Sequence, residues 1–304
     1  MYQTSTRICI SLVLAGCLAA AAQTHQPQAN PSAAEVVAKN VAARGGLEAW
    51  RAVKTMSLSG KTGVGGNQRA TLQVPASSPG VVTPKSTQLM LPSRRVEEVY
   101  LPFLMELARP RKMRFELQFA GQTAIQVYDG VQGWKLRPYL NRRVVETFTE
   151  DELKISAAQS DLDGPLVDYQ VKGTHVELAG MEKVEDQNTY KVKMTMQNGQ
   201  ALHVWINAQT FLEAKIEGQP RRMDGTEHPV EVYFRDYRTV DGLQIPFVLE
   251  TRVLPVKETA TGLRDVPVPP EKIIIDKVAV NPKFDEALFS KPEAGLSAAA
   301  RQAP

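Results

Sequence analysis

From Arg111 to Val280 the chain alternates polar and apolar side chains in short runs, separated by Gly, Asn and Asp turns. In Lys112-Met113-Arg114-Phe115-Glu116-Leu117-Gln118 the period is two, so Met113, Phe115 and Leu117 share one face of a strand and the charges share the other. The same alternation places Ile125 and Val127 together within Thr123 to Tyr128. It groups Val192, Met194 and Met196 within Tyr190 to Gln197, and Val232 with Phe234 within Val230 to Arg235. Asp129-Gly130, Asn198-Gly199 and Asp241-Gly242 fall between successive runs, the dipeptides that two-stranded hairpins favour. The pattern predicts a mainly β, α+β chain: one large antiparallel sheet with a single apolar side. Something apolar has to cover that side, and what covers it is the functional question.

Helical periodicity appears at two places. Ser32 can cap a helix carrying Val36, Val37, Val41 and Ala42, which Gly45-Gly46 ends before a short second turn from Leu47 to Val53. Its polar face is not basic, which favours a lid on the sheet over a helix lying on anionic lipid. Thr149-Glu150-Asp151-Glu152 is a capping box and predicts a helix over Glu150 to Ser160, with Leu153 and Ile155 to Ala158 as its apolar set. Thr55 to Thr62 predicts a strand, and Gly63 to Ser93, broken by Gly and Pro, predicts edge strands with mobile connections. Tyr100 to Leu107 fits neither period and reads either as a mouth element or as plain core. Lys272 to Val280 predicts a last strand and Phe284 to Phe289 a helical turn.

The ends change the picture. Arg7, the apolar run Ile8 to Leu18 and the small residues Ala19 to Ala22 predict an export signal over residues 1–22, cleaved before Gln23. Leu14-Ala15-Gly16-Cys17 also resembles a lipoprotein signal, in which Cys17 would carry lipid and tether the protein. The apolar run after Cys17 favours the soluble periplasmic product. Both cysteines, Cys9 and Cys17, lie in this segment, so the cleaved chain has no disulfide. Residues 23–32 read as a flexible leader, 33–292 as the folded domain and 293–304 as a disordered tail.

Composition then excludes function classes. A net charge of +3, without a stripe of Lys and Arg among stacking aromatics, does not suit nucleic acid. His25, His175, His203 and His228 lack metal-ligand spacing, and there is no nucleophile elbow, phosphate loop or dinucleotide fingerprint. The expectation is therefore no catalytic residue, no metal and no cofactor. Asp161, Asp163 and Asp168 form the notable carboxylate cluster, and around Gly164-Pro165 they read as a turn after a helix. On that reading each Asn substitution there costs about 1 kcal/mol. His203 and Trp205 alternate with Leu202, Val204 and Ile206, which puts them on the outer face.

Several segments, taken in order, resemble a known family. They are Arg44-Gly45-Gly46-Leu47-Glu48-Ala49-Trp50, Arg109-Pro110-Arg111, Tyr128-Asp129-Gly130 with Gly133-Trp134, Asp163-Gly164-Pro165-Leu166-Val167-Asp168-Tyr169, Asp236-Tyr237-Arg238 with Asp241-Gly242, and Asn281-Pro282. The set resembles the outer-membrane lipoprotein carriers, the LolA- and LolB-like superfamily, in its lipoprotein-sorting branch. The resemblance implies an open, curved antiparallel half-barrel whose concave face is covered by helices and accepts acyl chains during transfer toward the outer membrane. It implies lipoproteins or lipids as partners, with an inner-membrane release complex, an outer-membrane acceptor and transient membrane contact by a monomer. Met113, Phe115, Leu117, Ile125, Val127, Val192, Met194, Met196, Val232 and Phe234 are then the candidate cavity residues. Methionine suits a cavity that must fill and empty. A periplasmic sensor or adaptor binding a lipidated or misfolded partner is the alternative; an enzyme on the same fold is the weaker one.

Overall fold

The computed structural model describes residues 31–64, 98–138, 142–223, 225–256 and 268–293. The signal segment, most of the leader, all but Glu293 of the tail, and the edge strands expected between Gly63 and Ser93 beyond residue 64 lie outside the described residues. Two helices open the fold, α1 (Ala33–Ala43) and α2 (Leu47–Ala52). Ser32 accepts a hydrogen bond from the Glu35 N–H, while Glu35 reaches back to the Ser32 backbone, a complete capping box.

Strands follow: β1 (Thr55–Gly63), β2 (Tyr100–Ala108), β3 (Lys112–Phe119), β4 (Gln122–Tyr128), β5 (Gly133–Arg137) and β6 (Arg142–Thr147). Helix α3 (Glu150–Gln159) then leads to β7 (His175–Val184), β8 (Gln187–Thr195), β9 (Ala201–Asn207) and β10 (Glu213–Glu217). A small hairpin of β11 (Arg221–Met223) and β12 (Thr226–His228) precedes β13 (Val230–Val240), β14 (Leu243–Val253) and β15 (Glu271–Val280). A 3-10 turn, Glu286–Phe289, comes last.

Among the described residues, thirteen strands form one antiparallel sheet in the order β6-β5-β4-β3-β2-β1-β15-β14-β13-β10-β9-β8-β7. The sheet is curved and open, a half-barrel with β6 and β7 as its outermost strands among the described residues. Meanders run outward on both sides of a central pair, β1 and β15, the latter contributed by the end of the fold. At Gly60 these two strands come so close that a Cβ would collide with the Ile274 carbonyl, beside a register shift at Ser59/Gly60. The hairpin turns do what their residues suggest: Asp241 and Gly242 both take positive φ, 48° and 82°, the primed turn that matches strand twist.

The connection from β6 to β7 joins opposite edges of the sheet. Along the sheet the thirteen strands span about 58 Å, at roughly 4.8 Å between neighbours. Helix α3 covers only about 15 Å of that. Residues 160–174 cover the rest in a path full of turns, which closes because the curvature brings the edges toward each other. This crossing, with α1 and α2, covers the concave face.

The apolar residues of that face divide into two clusters. Under α1, Val36 and Val37 pack with Leu166 on Val192, Met194, Val204 and Ile206 of β8 and β9. Under α2 and the crossing, Trp50, Val53, Leu162 and Val167 pack on Met56, Phe103, Leu107, Met113, Leu243 and Ile275. An eleven-residue helix is marginal by itself in water, and each fully buried valine adds about 1.5–3 kcal/mol, so docking on the sheet is what holds α1 in place.

The expectation of one apolar side is corrected here. The convex side carries its own cluster, where Ile125, Val127 and Leu136 are covered by Leu288 and Phe289 of the last turn. Arg114 lies in the same layer, paired with Glu116 at 2.7 Å and donating to the Leu288 carbonyl at 3.2 Å. Trp205 is an outer-face residue as its alternation indicates, yet it is buried, donating to Glu182 at 2.6 Å beneath Lys191 and Lys215. Helix α3 also differs in detail: Leu153 and Ala157 pack inward, whereas Ile155 is exposed.

Candidate functional site: a hollow beneath a latched lid

Where the second cluster is not filled by the lid, a cavity of about 220 Å³ remains. Its floor comes from four neighbouring strands: Met56 and Leu58 of β1, Met105 and Leu107 of β2, Leu249 of β14, and Ile273 and Ile275 of β15. Phe115 of β3 stands beside Met105 in register, and its ring stacks on Phe103 at 6.0 Å. Trp50 and Leu162 form the roof, and Arg44, Thr62 and Gln244 are the polar members of the lining. From Met56 to Thr62 the floor runs about 20 Å along β1.

The candidate residues are distributed unequally over this site. Phe115 lines the cavity, and Leu117 follows it on the same face in register with Phe103 and Ala124. Met113 faces inward but is sealed under the lid with no exposed surface. Val192 and Met194 also face inward and are fully buried beneath α1. Val232 and Phe234 face inward on β13, Phe234 opposite Leu249. Met196 lies past the end of β8, half-buried in a turn that its own N–H closes on Gln200. Ile125 and Val127 do not belong with these: β4 turns them to the convex face, because its inward positions in register with Leu117 and Phe115 are Ala124 and Gln126. The strand period was right there, but which phase faced inward was not recoverable from a run apolar on both sides.

Sequence reasoning passed over much of the true lining. Met56 and Leu58 alternate with Ser57 and Ser59, so a period-two signal was present in β1. Tyr100 to Leu107 is a strand of the floor, not a mouth element. Trp50 and Leu162 had no local signal, since a roof residue is defined by what lies beneath it.

The lid is held down by ion pairs. Asp163, buried in the crossing, accepts from Arg109 Nη2 at 2.6 Å and from Lys172 Nζ at 2.6 Å. Arg109 also donates to the backbone carbonyls of Val53 and Trp50, and Lys172 to both oxygens of Asp161 and to the Gly164 carbonyl. Arg51 of α2 makes a two-pronged pair with Asp168, at 2.7 and 3.0 Å. Glu152 of α3 pairs at 2.5 Å with Lys135, a buried lysine on the inner face. The Asp cluster is thus a latch joining the crossing to α2 and to the β2–β3 turn, rather than a turn alone.

Electrostatics follow from these partners. Burial pushes the Asp163 carboxyl up, but the bonds from Lys172 and Arg109 outweigh it and hold the group below the ordinary carboxylate value. In neighbouring Asp161 burial wins, and the carboxyl is raised. The Arg51 hydrogen bonds hold Asp168 low.

Gly45 lets the turn between α1 and α2 meet the β13–β14 hairpin. It has a φ of 116°, and a Cβ there would press on the Gly242 carbonyl. Beside it the Gln244 N–H donates to the Arg44 carbonyl at 3.0 Å, so two segments distant in sequence set one wall of the cavity. Asn281 works similarly at the sheet centre, accepting from the Lys54 N–H at 2.7 Å as β1 begins. Among the described residues no group of three or more His, Cys, Asp or Glu is arranged to hold a metal ion, and no helix is long and apolar enough to cross a membrane.

No protein-family model and no curated protein matches the sequence. Among solved structures, the chain is similar to a domain described as outer-membrane lipoprotein-sorting from Vibrio parahaemolyticus, at 10% identity and a TM-score of 0.47, over 84% of this chain and 95% of that one. It is similar to a DUF1329 family protein from Desulfovibrio piger, at 10% identity and a TM-score of 0.49, over 85% and 97% of the two chains. It is also similar to a LolA superfamily protein from Nitrosomonas europaea, at 11% identity and a TM-score of 0.46, over 86% and 98%.

Proposed function

We propose that the protein is a periplasmic carrier that takes lipid acyl chains, free or attached to a lipoprotein, into the hollow between its sheet and its lid for transfer toward the outer membrane. One observation carries the reading: the apolar floor formed by Met56, Leu58, Met105, Phe115, Leu249 and Ile273 is left unfilled, although Val192, Met194, Val204 and Ile206 on the adjoining inner face are buried under α1. Close packing is the rule in protein interiors, so an apolar hollow beneath a covering segment is a feature to be explained. Each acyl methylene moved there from water contributes about 0.8 kcal/mol. At 220 Å³ the hollow is smaller than the ~300–1,000 Å³ of drug-sized sites, so a long chain has to widen it. Met56 and Met105 are flexible side chains suited to that adjustment. The export signal expected from the sequence and the resemblance of its ordered motifs support the periplasmic setting and the direction of transfer.

The test is displacement of a fluorescent fatty-acyl probe from the purified protein by lipid. Phe115→Asp and Leu249→Asp each put a charge into the hollow and are expected to weaken binding at least tenfold with unchanged far-UV dichroism. Wild-type affinity in both variants would sink the proposal. Met194→Asp is not a binding test, because it places a carboxylate under α1 and is expected to unfold the chain.

A further inference from the structure

Among the described residues the lining of the hollow is apolar except at three places, and one of them is a guanidinium. Arg44 sits at the wall where the α1–α2 turn meets β14, largely buried, its guanidinium centred 4.5 Å from the middle of the Trp50 roof ring. Its Nη1 donates to the Asp163 carbonyl at 3.0 Å and forms an ion pair with Glu213 at 3.3 Å. Glu213 also accepts from the Tyr237 hydroxyl at 3.1 Å, on its other oxygen. The Nε and Nη2 of Arg44 have no hydrogen-bond partner among the described residues. A guanidinium carries five N–H donors in a fixed plane, and donors left over on a largely buried cation beside an apolar hollow favour an acceptor brought in by the occupant. Gln244 lies in the same wall, tied by its amide to Thr239 and by its N–H to the Arg44 carbonyl, which leaves its side-chain oxygen as neutral polar surface next to the cation.

From this placement, and resting on the carrier reading above, we infer that the hollow binds a single-chain amphiphile with an anionic head, of the long-chain fatty-acid class, its carboxylate on the open donors of Arg44 and its tail along the floor toward Thr62. The size agrees: a 220 Å³ hollow about 20 Å long suits one widened chain rather than the bundle of chains on a lipoprotein. The energetics agree as well. Hydrogen bonds to a charged acceptor are roughly twice as strong as neutral ones, whereas an ester carbonyl at the same place makes the neutral and weaker kind.

The experiment compares palmitate with methyl palmitate at pH 8, by displacement of one fluorescent acyl probe from the cleaved protein. The wild type is expected to hold palmitate at least tenfold more tightly than the ester. Arg44→Met is expected to erase that preference, read as the ratio of acid to ester affinity, and Lys183→Met, which removes an exposed cation on β7 outside the lining, is expected to keep it. If both ligands displace the probe equally from the wild type, or if Arg44→Met still prefers the acid, the head-group inference falls and the carrier reading stands. If neither ligand displaces the probe, both fall. The wild-type comparison needs no variant, so a misfolded Arg44→Met leaves the inference fully exposed to failure.

Discussion

Single side chains in this protein are read correctly only with their partners. Asp163 and Asp168 are five residues apart in a loop, and both carboxyls are held low, yet they differ in what their loss does. Asp163 is buried between Arg109 and Lys172, so Asp163→Asn leaves Arg109 facing a neutral amide, while Lys172 keeps its pair with Asp161. Breaking a buried pair costs roughly 3–5 kcal/mol, and partial exposure of Arg109 argues for the lower end, about 3 kcal/mol. Asp168 meets a half-exposed Arg51, and Asp168→Asn is expected to cost only about 0.5–1 kcal/mol. Urea unfolding of the two variants gives both values, and equal losses would refute the distinction. The uniform cost of about 1 kcal/mol expected from the sequence is thus replaced by a graded one, because solvent exposure, which sets the energy of an ion pair, is not written in the local sequence.

Among the elements, the helices depend on what lies beneath them, and their ends are written locally. Ser32→Ala removes the cap of α1 and is expected to cost about 1 kcal/mol. That loss is measurable as a lower urea midpoint with an unchanged slope. Helix α3 is different, since its inward face is short: Leu153 and Ala157 pack on the core and Ile155 does not. The Glu152–Lys135 pair therefore carries much of its attachment. Lys135→Met keeps an apolar stem on the inner face but frees α3. The amides of residues 153–159 are expected to exchange with solvent at least tenfold faster, with little change in β1 and β15. Unchanged exchange in α3 would show that the helix is held by packing alone.

For the whole molecule, the last strand sits at the centre. A chain stopped at residue 270 lacks β15, so β1 and β14 lose their shared neighbour and the two meanders are left unjoined. Such a chain is expected to lose cooperative thermal unfolding, whereas stopping at residue 283 only uncovers Ile125, Val127 and Leu136 on the convex face and is expected to lower the melting temperature. Acid should act through the latch. Asp163 and Asp168 have folded-state pKa values below the unfolded value of about 3.9, so their contribution is complete above that pH and is lost as the pH falls below it. Asp161, raised by burial, acts in the opposite sense and blunts the loss. Melting at pH 3 and pH 5 checks the balance, and Asp163→Asn should show a smaller difference between the two than the wild type.

Much of the architecture is legible in the sequence because it is written locally. The capping boxes at Ser32 and Thr149, the Asp241-Gly242 hairpin and the period-two runs of β3, β8 and β13 depend on residues within a few positions of each other, and they appear where the pattern put them. The site was less legible. Local alternation says that two faces exist but not which is covered, so Ile125 and Val127 went to the convex side, where Leu288 and Phe289 close over them from more than 150 positions away. Met113, Val192 and Met194 had the right face and were then buried by the helices and crossing above it, while Trp50, Leu162 and Arg44 became the lining. Sequence by itself determined the capped helices, the hairpin turns, the regularly alternating strands and the presence of an apolar inner face, because short-range sterics and hydrogen bonding set those. Tertiary structure alone decided where that face is packed and where it is hollow, because a cavity is the space left between segments whose separation along the chain carries no local signal.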